Sequence, residues 1–351
     1  MATAYKRDNG SWRVVVELER GPDGTRRRQY FDGKTEELAR AKMAAAFPDP
    51  IMPKGVTADN WSQLWDAVAG HAEAKQVTDS DVTEATFDWG SEPVGLLLWS
   101  DWHIGSTWCD YKQLKEDVAY VAAYRSANPG ALHLAHLGDL VDNYRASGPH
   151  PTGLHETVET RTDKQRGLAL WLAKQAGQWD AMLLGCHLAW NLTHEGDDVL
   201  APIAQQLGAV NGGYGLNMTI NVGSQQYTGL IRHKPKGGGG MAPGNAQRRL
   251  DNEYGPAGDR ADFISTSHQH TCHLEQYEKA GRHVVFTRSG GYKGGDCFAR
   301  AGAFTHEKSS DNGVPLLIFS PTTHDIQAFD GHHWRQGLEY LASLRTEKAA
   351  A

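Results

Sequence analysis

The chain has 351 residues, 40% hydrophobic and 22% charged, which is enough to bury a substantial core in one large domain or two unequal ones. Mean hydropathy is -0.54 and no run of about 18 apolar residues occurs, so no membrane span is expected. The net charge of -7 argues against a protein coated in positive charge for nucleic acid.

That charge is uneven. Residues 1–48 hold 10 Lys+Arg against 7 Asp+Glu, a balance of +3, so the remainder holds 25 against 35, a balance of -10. Within the basic head, Trp12–Glu19 alternates loosely, Gly21-Pro-Asp-Gly24 marks a turn and Arg26–Phe31 returns, which together predict a β-hairpin. A helix is expected from about Thr35 to Phe47, with Thr35 as its cap. Arg13, Arg26, Arg27 and Arg28, interleaved with Tyr5, Trp12, Tyr30 and Phe31, are candidate DNA contacts, because basic β-ribbons bind phosphate backbones. The layout is similar to the hairpin-plus-helix arms at the head of phage-type tyrosine integrases and would suit a phage or mobile-element gene. A charged hairpin used for packing or oligomerisation is the competing reading. Residues 49–92 read as a connector, interrupted by Pro50 and Pro53, with one helix near Trp61–Ala74 and an acidic link after it. The N-terminus lacks the apolar stretch of a signal peptide, and Cys109, Cys186, Cys272 and Cys297 show no CxxC pairing. A reducing cytoplasm is expected.

From Pro93 onward strands alternate with helices. Strands are predicted at Val94–Ser100, Ala131–Leu137, Ala181–Leu184, Leu216–Val222, Gln226–His233, Asp262–Thr266, His283–Arg288 and Val314–Ser320, with helices over Tyr111–Arg125 and Arg161–Gln178. Such alternation indicates a layered α/β domain, two sheets face to face with helices outside.

Sixteen of the 17 histidines fall between His103 and His333, and several follow strands directly. Asp101-Trp-His103 comes after the first strand, Gly138-Asp139-Leu-Val-Asp142-Asn143 after the second and Gly185-Cys186-His187 after the third. His233 ends a fourth, and Ser267-His268-Gln-His270 follows a fifth. Carboxyl ends of strands in α/β sheets form ligand crevices. Residues i and i+2 of an extended end point the same way, so Asp101 with His103, and His268 with His270, can grip one cation. Asp139 has two oxygens and can bridge two. Taken singly, each fragment reads as a capping Asp or an ordinary hydrogen-bonded His. Their joint occurrence behind successive strands is what points to a metal site.

The ordered set D-x-H, G-D-x-x-D, G-N-H, H, G-H-x-H resembles the signature of calcineurin-like metallophosphoesterases, nearest in kind to the DNA-repair exonuclease type, over residues 93–330. The resemblance implies a four-layered α-β-β-α sandwich with two divalent cations, Mn foremost and Zn or Fe as alternatives. It assigns Asp101, His103, Asp139 and His270 to one cation and Asp139, Cys186, His233 and His268 to the other. His187 is implied as the catalytic acid, with Asp142 orienting its ring. The implied reaction is attack on phosphorus by a water or hydroxide shared between the cations. Two departures stand out: Ser267 replaces a glycine, and Cys186 replaces a metal-binding asparagine. A thiolate there would favour Zn, or the position would be weakened. Substrate contacts are expected from Asn143, from Lys234 and Lys236 in the loop leading into Gly237–Gly240, and from Arg248. A DNA-directed phosphodiesterase or nuclease is the first reading. A phosphatase or nucleotide diesterase, and a DNA-binding protein with a decayed metal site, are the others. Homo-oligomerisation stays open.

Overall fold

The computed structural model describes residues 2–7, 10–17, 28–46, 83–144, 151–195, 198–234, 244–254, 261–279, 281–295 and 311–350. Two compact units are distinguished, residues 1–80 and 81–351. In the first, β1 (Ala2–Lys6), β2 (Trp12–Glu17) and β3 (Arg28–Gly33) form an antiparallel sheet in that order, followed by α1 (Glu36–Ala46). The expected hairpin is therefore the inner and outer pair of a three-stranded sheet, with Tyr5 opposite Arg13 and Val14 opposite Phe31. Val14 and Ala39 are fully buried, joining sheet to helix, and the Thr35 hydroxyl accepts the Leu38 amide at 3.2 Å as predicted for a cap. The turn at 21–24 and the helix near 61–74 lie outside the described residues.

The second unit opens with β4 (Thr83–Asp88), a strand within the stretch read as connector. Its composition, Thr-Glu-Ala-Thr-Phe-Asp, has the alternation of an edge strand, and among the described residues it pairs with β9 alone. One six-stranded sheet runs β12-β13-β11-β10-β9-β4 and the other β15-β14-β5-β6-β7-β8. The first comprises β9 (Gly215–Val222), β10 (Gln225–Arg232), β11 (Phe263–Thr266), β12 (His273–Lys279) and β13 (Arg282–Arg288) with β4. The second comprises β5 (Val94–Trp99), β6 (Leu132–His136), β7 (Ala181–Met182), β8 (Val210–Asn211), β14 (Leu316–Phe319) and β15 (Ile326–Phe329).

The layers follow from the two-residue period of a strand. Along β5, Leu96 and Leu98 face a core shared with Met218, Ile220, Phe263 and Val285 of the opposite sheet. Leu97 and Trp99 face outward and meet the helices. Those are α2 (Tyr111–Ala127), α3 (Thr162–Ala176), α4 (Gly185–Glu195), α5 (Leu200–Leu207) and α7 (Trp334–Ala350). On the far side α6 (Asn245–Tyr254) sets Leu250 against Leu230, Ile264 and Val284. The architecture is thus an α-β-β-α sandwich. Strands β5, β6 and β7 run parallel in one sheet, and β10, β11 and β13 run parallel in the other. Among the described residues no helix is long and apolar enough to cross a membrane.

Candidate metal centre

The carboxyl ends of these parallel strands carry the chemistry. β5 leads to Asp101 and His103, β6 to Asp139 and Asp142, and β7 to the first turn of α4 with Cys186 and His187. β10 leads to His233, β11 to His268 and His270, and β13 to Lys293. Leu137 knots the two sheets together: its carbonyl accepts from His233 Nδ1 at 2.8 Å and from the Ser267 hydroxyl at 3.1 Å. Ser267, where a glycine was expected from the resemblance, also contacts His233 Nδ1 at 3.0 Å. The turns are tight. Asp101, His103, Asp139, Asn143, His268 and His270 all have φ between 48° and 75°, the left-handed region uncommon for side-chain-bearing residues. Such backbone persists only where surrounding contacts fix it, and here five of the six positions, all but Asn143, carry metal-type donor atoms.

Two donor groups result. In one, His270 Nε2 lies 3.2 Å and His103 Nε2 3.6 Å from Asp101 Oδ1, with the two Nε2 atoms 3.1 Å apart. In the other, Asp139 Oδ2 lies 3.0 Å from His233 Nε2 and 3.0 Å from Cys186 Sγ, which is 3.5 Å from His268 Nδ1. Asp139 Oδ2 is also 4.0 Å from His103 Nε2, so one carboxylate faces both groups. Its other oxygen accepts the His187 amide at 2.8 Å, at the start of α4, where the helix dipole favours an anion. The helix thereby aims Oδ2 at the gap.

Donor atoms about 2.0–2.3 Å from a shared cation stand about 3–4 Å from one another, so these spacings fit. Tautomers fit too. A carbonyl can only accept, so His233 Nδ1 toward Leu137 and His270 Nδ1 toward the Lys293 carbonyl (3.2 Å) must carry hydrogen, leaving Nε2 for a cation. His103 Nδ1 lies 3.1 Å from Asp142 Oδ1 and is held in the same sense. Asp101 Oδ1 and His233 Nε2 are buried without a hydrogen bond despite these close neighbours. Electrostatics point the same way. Burial alone would lower His233, yet the Asp139 carboxylate raises it well above its ordinary value. His103 is likewise raised, by Asp101 and Asp142 against burial. The buried carboxylates favour positive charge in the pocket. The set of carboxylate, imidazole and thiol donors suits Mn, Fe or Zn. Cys186, pushed up to about 12 chiefly by burial, is a thiol until a cation displaces its proton.

No protein-family model matches the chain, and no curated protein matches it in sequence. Solved structures give partial superpositions. Vps29 from Entamoeba histolytica, crystallised with Zn2+, has a TM-score of 0.32 and 11% identity over 68% of this chain and 98% of its own. A 5'-nucleotidase precursor from Thermus thermophilus gives 0.34 and 12%, over 74% of this chain and 59% of that one. The NAD nucleotidase NadN of Haemophilus influenzae gives 0.37 and 9%, over 68% and 49%. Superpositions of this quality carry no functional weight.

The remaining sequence candidates divide. His187 sits 8% exposed beside the first group, its ring 4.6 Å from that of His103. Its Nδ1 bonds the main-chain carbonyl of Asp142, so Asp142 orients it through the backbone, while the Asp142 carboxylate serves His103 and Lys293. Burial depresses His187 to about 4. Asn143 donates to the His187 carbonyl and to Asn191 Oδ1, both at 2.7 Å, tying the β6 loop to α4. Lys234 is exposed next to His233. Arg248 is on α6, paired with Glu275 and lying over Tyr277. Arg13 forms a bidentate pair with Asp32, both contacts 2.6 Å. Arg28 stands in β3, and Lys236, Arg26 and Arg27 lie outside the described residues. Sequence reasoning missed Lys293, Tyr144 and Trp190. The Tyr144 and Trp190 rings pack 5.3 and 4.3 Å from His187. The one signal was Lys293's place in a glycine-rich loop directly after a strand.

Proposed function

We propose that the chain is a metal-dependent phosphoesterase of the calcineurin-like class that cleaves DNA phosphodiesters. The observation that carries the phosphoesterase reading is a single carboxylate, Asp139, facing two separate donor groups from both sheets. Asp101, His103 and His270 with Asp139 would hold one cation, and Asp139, Cys186, His233 and His268 the other. Two divalent cations held there would supply Lewis-acid polarisation of phosphoryl oxygen and water. His187 presents Nε2 to the leaving oxygen because Nδ1 is committed to Asp142. Its depressed pKa keeps it neutral in the free protein at pH 7, so it acquires its proton together with the anionic ester.

The DNA substrate is supported by the basic head, whose residues 1–48 carry a balance of +3 on an acidic protein. A nucleotide diester is the second reading, favoured by the partly exposed Trp190 ring packed on Tyr144 and His187, a flat apolar surface on the leaving-group side. The test is hydrolysis of a chromogenic diester, of single- and double-stranded DNA and of nucleotides with added Mn2+. Asp139→Asn and His187→Ala are expected to lose at least about 100-fold, the lower bound usual for acid–base catalysis. Full activity in either purified variant overturns the assignment. A DNA enzyme weakens steeply with salt and weakens again without residues 1–48, whereas a nucleotide enzyme is indifferent to both. Stoichiometric metal with no ester cleaved would instead favour a binding protein whose site decayed at Cys186.

A further inference from the structure

Among the described residues three carboxylates are buried in the centre, and of these Asp101 and Asp139 belong to the two donor groups. Asp142 belongs to a third cluster of metal-type side chains, with His103 and His187. That cluster already contains a cation. Lys293 is 4% exposed, and its Nζ lies 2.8 Å from Asp142 Oδ1, the same oxygen that meets His103 Nδ1 at 3.1 Å. A lysine is seldom buried unless paired. The main chain of Lys293 is engaged as well, its carbonyl accepting His270 Nδ1–H at 3.2 Å. One residue therefore stands behind both imidazoles of the first donor group, whose Nε2 atoms converge to 3.1 Å.

The loop that carries it is fixed from three directions. Gly291 passes so close to Asp101 that a Cβ would meet the Asp101 Cβ at 2.8 Å. The Tyr292 amide donates to the Asp101 carbonyl at 2.9 Å. Its hydroxyl accepts from Trp99 Nε1 at 3.0 Å and donates to buried Asp117 at 2.7 Å. Nothing in this arrangement leaves the ammonium accessible to a substrate.

We infer that Lys293 is the positioning residue of the first cation position, fixing His103 through the Asp142 carboxylate and His270 through its own carbonyl. The inference rests on the phosphoesterase reading for the existence of two cation positions. It assigns the third cluster to a built-in ammonium, so the centre is dinuclear. Lys293 touches neither substrate nor metal; it sets the ring orientation and tautomer that leave His103 Nε2 bare, the kind of outer support whose loss costs roughly 10–100-fold in metal affinity.

The test is calorimetric titration of the full chain with Co2+ and, separately, Mn2+. Wild type is expected to show two affinity classes. Lys293→Met should weaken one of them roughly 10–100-fold and leave the other unchanged, a selectivity that general loosening would not produce. Lys293→Arg should recover part of the loss. Should Lys293→Met fail to fold, Lys293→Gln, which removes the ammonium but keeps a neutral donor and leaves Asp142 in place as the acceptor of His103, should show a smaller loss confined to the same class. Wild-type affinities in either variant, or equal weakening of both classes, overturn the inference. A wild-type chain that takes up no cation overturns the phosphoesterase reading first, and this one with it.

Discussion

At the scale of single residues, the centre depends on how closely two main chains pass. Gly138 and Gly185 abut: a Cβ on Gly185 would meet Asp139 Oδ1 at 2.5 Å, and one on Gly138 would meet His233 Nδ1 at 2.7 Å. Both also have positive φ, 109° and 70°. Gly185→Ala is therefore expected to displace Asp139 and cost about 2 kcal/mol or more through strain and overpacking. Urea midpoints together with cation stoichiometry would measure both effects, and a variant with wild-type stability and full metal would contradict the account. Much of this scale was legible in the sequence. Asp101, His103, Asp139, Cys186, His233, His268 and His270 each stand behind a strand, and the structure brings them into two groups. Lys293 was not legible, because nothing local to Gly-Gly-Tyr-Lys-Gly-Gly encodes that its ammonium turns inward toward a carboxylate 151 residues away.

At the scale of elements, strands with both faces covered announced themselves as apolar runs, and β5, β6, β10, β11 and β14 lie within a residue or two of where they were expected. Among the described residues, the strands that sequence reading passed over, β1, β4, β8, β12 and β15, all lie at sheet margins. β4 (Thr-Glu-Ala-Thr-Phe-Asp) and β12 (His-Leu-Glu-Gln-Tyr-Glu-Lys) alternate with charged side chains, so they resembled linkers. α4 begins where a strand end was expected, and this matters chemically, since its first turn aims Asp139. The inter-sheet tie through Ser267 is also an element-scale device. Ser267→Gly removes one hydroxyl bond to Leu137 while His233 Nδ1 keeps the same carbonyl satisfied. A loss of about 1 kcal/mol with unchanged cation stoichiometry is expected by chemical denaturation. Lost metal in that variant would mean that the serine does more than join the sheets.

For the molecule as a whole, the histidines set a pH response in the metal-free state. Burial lowers His136 to about 3 and His187 and His268 to about 4, so these groups protonate more readily when unfolded. Their stabilising contribution is present above about pH 6.5 and is lost as pH falls from there toward 4. His103 and His233 are raised, so theirs is full below about 6.5 and is lost as pH rises through the folded values. With chelator present, stability should therefore peak near pH 6.5 and decline on both sides. Bound cations replace the protons on His103 and His233 and should remove the alkaline decline. Urea midpoints across pH 4–9, with chelator and with Mn2+, check both limbs; a flat chelator profile contradicts the assignment.

The donors come from both sheets, Asp101, His103 and Asp139 from one and His233, His268 and His270 from the other. Cations seated among them would act as rivets through the rim of two stacked plates. The apolar filling between the plates holds the molecule together regardless, so stripping the rivets would open only the edge where they sit. Amide protons along the strand tips would then exchange with solvent faster while those at mid-strand kept their protection.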